Sequence, residues 1–251
     1  MRENQFKARL ASGDSVAGVI VSSPDEQLVE VLGLAGFDFV FIDCEHGTMS
    51  VGETESLVRA ADLAGVSAVV RVPHNAEDLI LRHLDTGAMT VVVPQVITAD
   101  DVRRAVGAAY YHPRGSRGLA GTRAASYGLA EPLTEYTVRA NQEIAVVALI
   151  ENVQAIENLP EILQVEGLTA VHIGPADLSQ SLGRPGDRHH PDVEGAIAQI
   201  IEKAREAGVP VGINTSTGED ALTARDRGCQ ITTVSSWGLL AGAARDYLSV
   251  L

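Results

Sequence analysis

The sequence predicts one (β/α)8 barrel, a TIM barrel, spanning residues 1–251, on three observations. With 251 residues and 45% hydrophobic content, the chain suits one large α/β domain better than two small ones. Apolar runs of four to seven residues alternate along it with longer amphipathic stretches. Charged residues stand where four such runs give out: Ile42-Asp43-Cys44-Glu45-His46-Gly47, Val70-Arg71-Val72-Pro73, Leu149-Ile150-Glu151 and Gly174-Pro175-Ala176-Asp177. A ring of strand ends is where such barrels assemble catalytic groups, so the pattern points to an enzyme.

Taken in order, the strand candidates are 17–22, 38–43, 67–72, 89–94, 145–150, 169–173, 209–213 and 230–234. Val91-Val92-Val93 and Ala145-Val146-Val147-Ala148 are continuous rather than alternating, as parallel strands covered on both faces require. Between them, 54–64, 76–87, 99–109, 153–164, 192–207 and 218–227 read as helices. Asp100 and Asp192 suit helix starts, and Gly65, Gly87 and Gly208 suit helix ends. The stretch 110–128, with Tyr110-Tyr111-His112-Pro113-Arg114-Gly115-Ser116-Arg117-Gly118 and Gly121-Thr122-Arg123, breaks the rhythm and reads as a long loop or lid. A doubly wound open sheet is the rival, but no Gly-x-Gly-x-x-Gly follows the first strand.

A formal charge of −14 offers no basic surplus for nucleic acid or anionic membrane, which leaves a small molecule as the expected partner. No apolar run is long enough to span a bilayer and the polar start lacks a signal peptide's core, so a cytoplasmic protein is expected. Cys44 and Cys229 are then expected to be free thiols. Lysine occurs only at Lys7 and Lys203, neither at a strand end. Schiff-base chemistry needs a desolvated lysine in the pocket, so a carbanion made here calls for a metal instead.

Glu151 ends the fifth strand and Asp177 follows the sixth by a Gly-Pro turn, which brings two carboxylates together. Two carboxylates, waters and a bidentate oxyacid suit a hard ion such as Mg or Mn. Equally, Glu151 can be a helix-start carboxylate and Asp177 a turn residue. Asp43, Glu45 and His46 put a proton carrier beside carboxylates that orient it. Their charge disfavours Cys44 as a nucleophile, and the other histidines, His172 among them, read as structural or solvated. Arg71 is placed to hold a carboxylate or an enolate oxygen, or else to form a salt bridge with Asp43 or Asp85. Gly174-Pro175-Ala176 suggests backbone amides aimed at a carboxylate.

Together these segments resemble the HpcH/HpaI family of metal-dependent (class II) pyruvate aldolases, which includes 4-hydroxy-2-oxoheptanedioate aldolase and 2-keto-3-deoxy-sugar-acid aldolases. The resemblance runs from Gly36-Phe37-Asp38 through the Asp43-Cys44-Glu45-His46 box, Arg71-Val72-Pro73 and Arg114-Gly115-Ser116-Arg117-Gly118. It continues through Ile150-Glu151 and Glu157-Asn158-Leu159-Pro160-Glu161-Ile162-Leu163 to Ile173-Gly174-Pro175-Ala176-Asp177-Leu178-Ser179. It implies cleavage of a 4-hydroxy-2-oxo acid to pyruvate and an aldehyde through an enolate stabilised by Mg, Mn or Co on Glu151 and Asp177. It further implies that His46, paired with Asp43 and helped by Asp85, moves the proton, that Arg71 steadies the enolate oxygen, and that Gly174, Pro175, Ala176 and Asp177 hold the pyruvate carboxylate. A homohexamer, a trimer of dimers with exchanged C-terminal helices, is also implied, with 241–251 as the exchanged element. Many such aldolases carry Gln where this chain has Leu149, two residues before the metal glutamate and therefore on the same strand face. Leu-Ile-Glu is similar instead to the citrate lyase β-chain and acyl-CoA lyase branch, so a citrate-forming or CoA-ester lyase is the alternative, and an oxoacid-binding barrel without turnover the third. Contacts to the aldehyde are expected from 110–128, Asn214, Ser216 and Ser235-Ser236-Trp237, with Arg117 and Arg123 either binding a distal carboxylate or pinning the loop.

Overall fold

Each apolar run forms a strand in the computed structural model, which describes residues 2–251: β1 (Val16–Val21), β2 (Phe39–Asp43), β3 (Ser67–Arg71), β4 (Thr90–Val93), β5 (Ala145–Ile150), β6 (Leu168–Ile173), β7 (Val211–Thr215) and β8 (Ile231–Ser235). All pair in parallel with their neighbours, and β8 returns to β1, which closes the barrel. The seventh strand starts two residues later than expected, since Pro210 has no N–H to give a ladder.

Side chains alternate between two apolar environments. Phe39 and Phe41 of β2, Val69 of β3, Val92 of β4, Val147 and Leu149 of β5 and Ala170 of β6 fill the barrel interior. Phe6 and Leu10, from an unpredicted helix Gln5–Ala11, plug its N-terminal end, with the Phe6 and Phe39 rings edge to face at 5.1 Å. Burying each such side chain contributes about 1.5–3 kcal/mol. The intervening positions pack outward against the helices.

Five expected helices form at Val51–Ala64, Glu77–Asp85, Ala99–Ala109, Pro191–Glu206 and Gly218–Asp226. The caps are Thr98 and His190 rather than Asp100 and Asp192, because Thr98 and Asp101 make a reciprocal capping box and His190 accepts from the Asp192 N–H. Gly65, Gly87 and Gly208 do take left-handed backbone at helix ends. The stretch 153–164 is two short helices, Val153–Glu157 and Leu159–Ile162, since Pro160 cannot donate back along one continuous helix. Helices at Glu26–Leu34, Leu133–Glu143, Pro175–Ser181 and Ser236–Ser249 complete the ring.

The segment 110–128 is not a lid over the strand C-terminal ends of its own chain. It follows the helix that has already run back from the end of β4, so it lies at the N-terminal end of the barrel. There Arg123 donates to Thr86 O at 2.6 Å and to Asp62 at 2.5 Å, and Arg117 pairs with Asp85 at 2.6 Å. Both arginines pin the loop. Among the described residues, no helix is long and apolar enough to cross a membrane.

Candidate active site

At the C-terminal end of the strands a cavity of about 290 Å³ gathers Asp43, His46, Arg71, Glu151 and Gly174 through Asp177. Phe41, Leu149 and His172 are also among its lining, with Ile20 and Ser22 from β1 and its end, Asn214 from β7, Ser235 from β8, and Arg188 from the loop between the helices Pro175–Ser181 and Pro191–Glu206. Every residue expected to act on the proton, the metal or the oxoacid, except Asp85, is in this cluster; of the expected aldehyde contacts Asn214 and Ser235 are, while Ser216, Ser236, Trp237 and 110–128 are not.

Asp43 and Arg71 are register partners on β2 and β3. The guanidinium donates from Nε to Asp43 Oδ1 at 2.9 Å and from Nη2 to Oδ2 at 2.5 Å, while Nη1 lies 2.9 Å from Glu45 Oε2. Burial works against the Arg71 charge, but Asp43, Glu45 and Glu151 outweigh it and hold its pKa above the ordinary value. The salt bridge to Asp43 therefore exists, and it orients the cation within the cavity.

Glu151 is only 6% exposed. Its Oε1 accepts the Gln95 backbone N–H at 2.7 Å, and its Oε2 is buried with no hydrogen-bond partner. Burial, with repulsion from Glu45 and Asp177, pushes its pKa up to about 7 against the opposing effects of the Gln95 bond and Arg71. Gln95 takes a left-handed φ of 55°, costly for a residue with a side chain, to present that N–H. A Cβ on Gly174 would stand 2.9 Å from Glu151 Oε2, so the glycine leaves room beside the free oxygen. An orphaned buried carboxylate oxygen, with Asp177 exposed nearby at a helix start, fits a hard divalent cation completed by water and substrate oxygens. Among the described residues no third His, Cys, Asp or Glu joins them in a closed cage.

The amide donors differ from expectation. Pro175 has no N–H and the Gly174 N–H donates to Ile150 O at 3.3 Å, so the first-turn amides available to an anion are those of Ala176 and Asp177. His46 is exposed at the rim, and Asp43 Oδ1 accepts its backbone N–H at 3.1 Å rather than engaging the imidazole. Asp43 thus fixes the turn that carries His46. Asp85 ends the helix after β3, at the opposite end of the barrel, with its carboxylate on Arg117; within the chain it does not reach His46.

Burial pushes the Cys44 thiol up to about 11, in keeping with an inert role. Burial and Arg71 lower the His172 pKa to about 4, so this histidine is a neutral part of the cavity lining near Phe41. Leu149 faces the cavity beside Glu151, as the strand alternation requires. Gln95 and Arg188 escaped the sequence reading. Nothing local marks a left-handed glutamine, and Arg188 sits in a polar loop where arginine is unremarked.

A family model described as HpcH/HpaI aldolase/citrate lyase matches residues 17–241. The chain is 36% identical over 233 residues to a hydroxypyruvate/pyruvate aldolase of Sagittula stellata, covering 92% of this chain and 91% of that protein. It is 38% identical over 211 residues to a 2-keto-3-deoxy-L-rhamnonate aldolase of Klebsiella pneumoniae, covering 83% and 78%. Its fold matches the crystal structure of an HpcH/HpaI aldolase/citrate lyase family protein from Burkholderia cenocepacia with a TM-score of 0.93 at 34% identity, covering 98% of both chains. With its closed barrel and this cluster at the strand ends, the chain belongs to the HpcH/HpaI aldolase/citrate lyase family.

Proposed function

We propose that the protein is a metal-dependent aldolase that cleaves a 4-hydroxy-2-oxo acid to pyruvate and an aldehyde, and joins them in reverse. The observation that carries this reading is the unpartnered Glu151 oxygen, with Asp177 and Arg71 in the same cavity and no lysine among its lining. Lys7 Nζ donates to Ile144 O at the far end of the barrel and Lys203 Nζ to Ile156 O outside it, so neither forms a Schiff base in the cavity.

Glu151 and Asp177 would hold Mg, Mn or Co, which when bound supplies Lewis-acid charge to the substrate's 2-oxo acid end. The Ala176 and Asp177 amides hold the substrate carboxylate, and Arg71 offers its fixed guanidinium to the C2 oxygen as charge grows there. His46 takes the proton of the C4 hydroxyl. The C3–C4 bond then breaks, the aldehyde leaves, and the electron pair remains across C3, C2 and oxygen as an enolate. A proton returned to C3 gives pyruvate, and Phe41 and Leu149 keep the cavity dry enough for these charges to act strongly.

A cavity of about 290 Å³ suits a three-carbon oxoacid with a short aldehyde better than a CoA ester. On the C-terminal helix Leu240, Tyr247 and Leu248 are each more than 60% exposed, which supports an assembly, the expected hexamer, that covers them. The two buried free thiols suit a cytoplasmic location. Pyruvate release from a panel of 4-hydroxy-2-oxo acids with Mg, Mn or Co tests the reading. Turnover with at least one pair and loss in Glu151→Ala is expected; no turnover above that variant with any pair contradicts it.

A further inference from the structure

Arg188 belongs both to the lining of the catalytic cavity and to that of an adjoining one, of about 300 Å³, between β7 and its flanking helices. It is half-buried, yet no hydrogen bond or ion pair of its guanidinium occurs among the described residues. The acids that share the adjoining cavity with it, and the nearby Asp192, are already engaged. Glu194 pairs with Arg227 at 3.1 Å, Asp192 with Arg184 at 3.1 Å, and Asp220 accepts the Ser216 and Thr217 N–H groups. In a chain of net charge −14, a cation left without an acid at the mouth of the substrate cavity is conspicuous.

A second orphan stands in the same place. Asn214, one residue before the end of β7, lines both cavities, and its Oδ1 is buried without a hydrogen-bond partner. Its amide can present a donor or an acceptor there, since oxygen and nitrogen exchange by a flip. The two arginines that the sequence offered for a distal anion, Arg117 and Arg123, are committed at the other end of the barrel.

We propose that Arg188, supported by the Asn214 amide, recognises an anionic group on the aldehyde partner, so that the preferred electrophile is a short aldehyde bearing a carboxylate or a phosphate. This rests on the aldolase reading and specifies its substrate class. With the oxoacid end held at Glu151 and Asp177, the aldehyde extends toward β7, β8 and β1, where Arg188 and Asn214 wait. Without a cation there, the carboxylates of Glu45, Glu151 and Asp177 repel a second anion; Arg188 offsets them.

The test compares matched aldehydes in aldol addition to pyruvate: succinic semialdehyde against butanal, and glyceraldehyde 3-phosphate against glyceraldehyde. These are run with metal-loaded wild type, Arg188→Met and Arg188→Lys, alongside deuterium exchange of the pyruvate methyl group, which needs no aldehyde. Wild type is expected to favour at least one anionic member about 10- to 100-fold in kcat/KM, as one charge-assisted contact provides. Arg188→Met loses that preference mainly through KM, Arg188→Lys restores part of it, and methyl exchange stays unchanged. The pair that shows the preference decides between carboxylate and phosphate. Equal use of charged and neutral aldehydes by wild type, or an undiminished preference in Arg188→Met, overturns the proposal while leaving the aldolase reading intact. If wild type exchanges no methyl protons with any metal, the aldolase reading fails first. Calorimetric binding of glycerol 3-phosphate, glycerol, 4-hydroxybutyrate and butanol then still tests Arg188: anion binding lost in Arg188→Met supports it as an anion site, and none in wild type overturns it.

Discussion

At the N-terminal end of the barrel Asn4 is 1% exposed, and its amide donates to Met89 O, Thr90 Oγ1 and Glu143 O, while at the C-terminal end Glu151 is 6% exposed with one carboxylate oxygen unbonded. The contrast extends around both ends. Below, Arg123 is committed to Asp62 and Thr86, Tyr110 Oη donates to Ile144 O, and Arg117, though only Nη2 is bonded, lies on the Tyr111 ring and pairs with Asp85. Above, like charges crowd, Gln95 is strained, and Arg188 has no acid. Arginines are thus paired with acids below, through Arg117–Asp85 and Arg123–Asp62, whereas above a carboxylate oxygen and a cation are left unpaired, the arrangement the proposed chemistry uses.

Breaking the upper end has the largest expected effect on turnover. Glu151→Gln should lower metal-dependent kcat by about 1000-fold or more, since it removes a ligand of the proposed metal. Because it also removes a buried charge repelled by Glu45 and Asp177, Tm of the metal-free protein at pH 8 should rise; a fall in Tm would show that the charge is not withheld at a cost.

Acid should act next. Metal binds the ionised carboxylate, so affinity should drop by about tenfold per pH unit below about 7 and level off above it, as titration calorimetry would show. The sign for stability is the reverse. A carboxyl whose folded pKa is raised from 4.5 to about 7 contributes fully below the ordinary carboxylate range and loses that contribution as pH rises toward 7. In the Glu151 contribution, wild type minus Glu151→Gln, metal-free stability should decline across that window; a flat difference would exclude it.

The lower end should respond oppositely. Asn4→Ala removes the two side-chain N–H groups shared among Met89 O, Thr90 Oγ1 and Glu143 O, and the oxygen that caps the Lys7 N–H, and should cost about 1–3 kcal/mol in urea unfolding, with kcat per folded molecule unchanged. An equal loss of kcat at full occupancy of the folded state would erase the distinction between the ends. The smallest effect is expected from Gln95→Gly, which keeps the N–H bonded to Glu151 and relieves the left-handed strain, raising stability by up to about 1 kcal/mol with activity nearly unchanged.

The strands are legible because continuous apolar runs bounded by charge have few other homes, and the candidate site because Asp43, Arg71, Glu151 and Asp177 stand at or just past strand ends. What escaped depends on three-dimensional accounting. Asp85 and Arg188 are each charged residues outside strands, and only the folded chain shows that one has a partner and the other none. The 110–128 segment looked like a lid because its length was visible but its position at the barrel's lower end was not. Leu149 was placed correctly by alternation alone, since a strand has only two faces.

The most direct measurement of the central claim is deuterium exchange of the pyruvate methyl group, followed by NMR, in protein stripped with chelator and then reloaded with each divalent metal. The account predicts exchange abolished by the chelator, restored by at least one of Mg, Mn or Co, and absent from Glu151→Gln under every condition. Exchange that persists after stripping, or that Glu151→Gln retains at the wild-type rate, would contradict it.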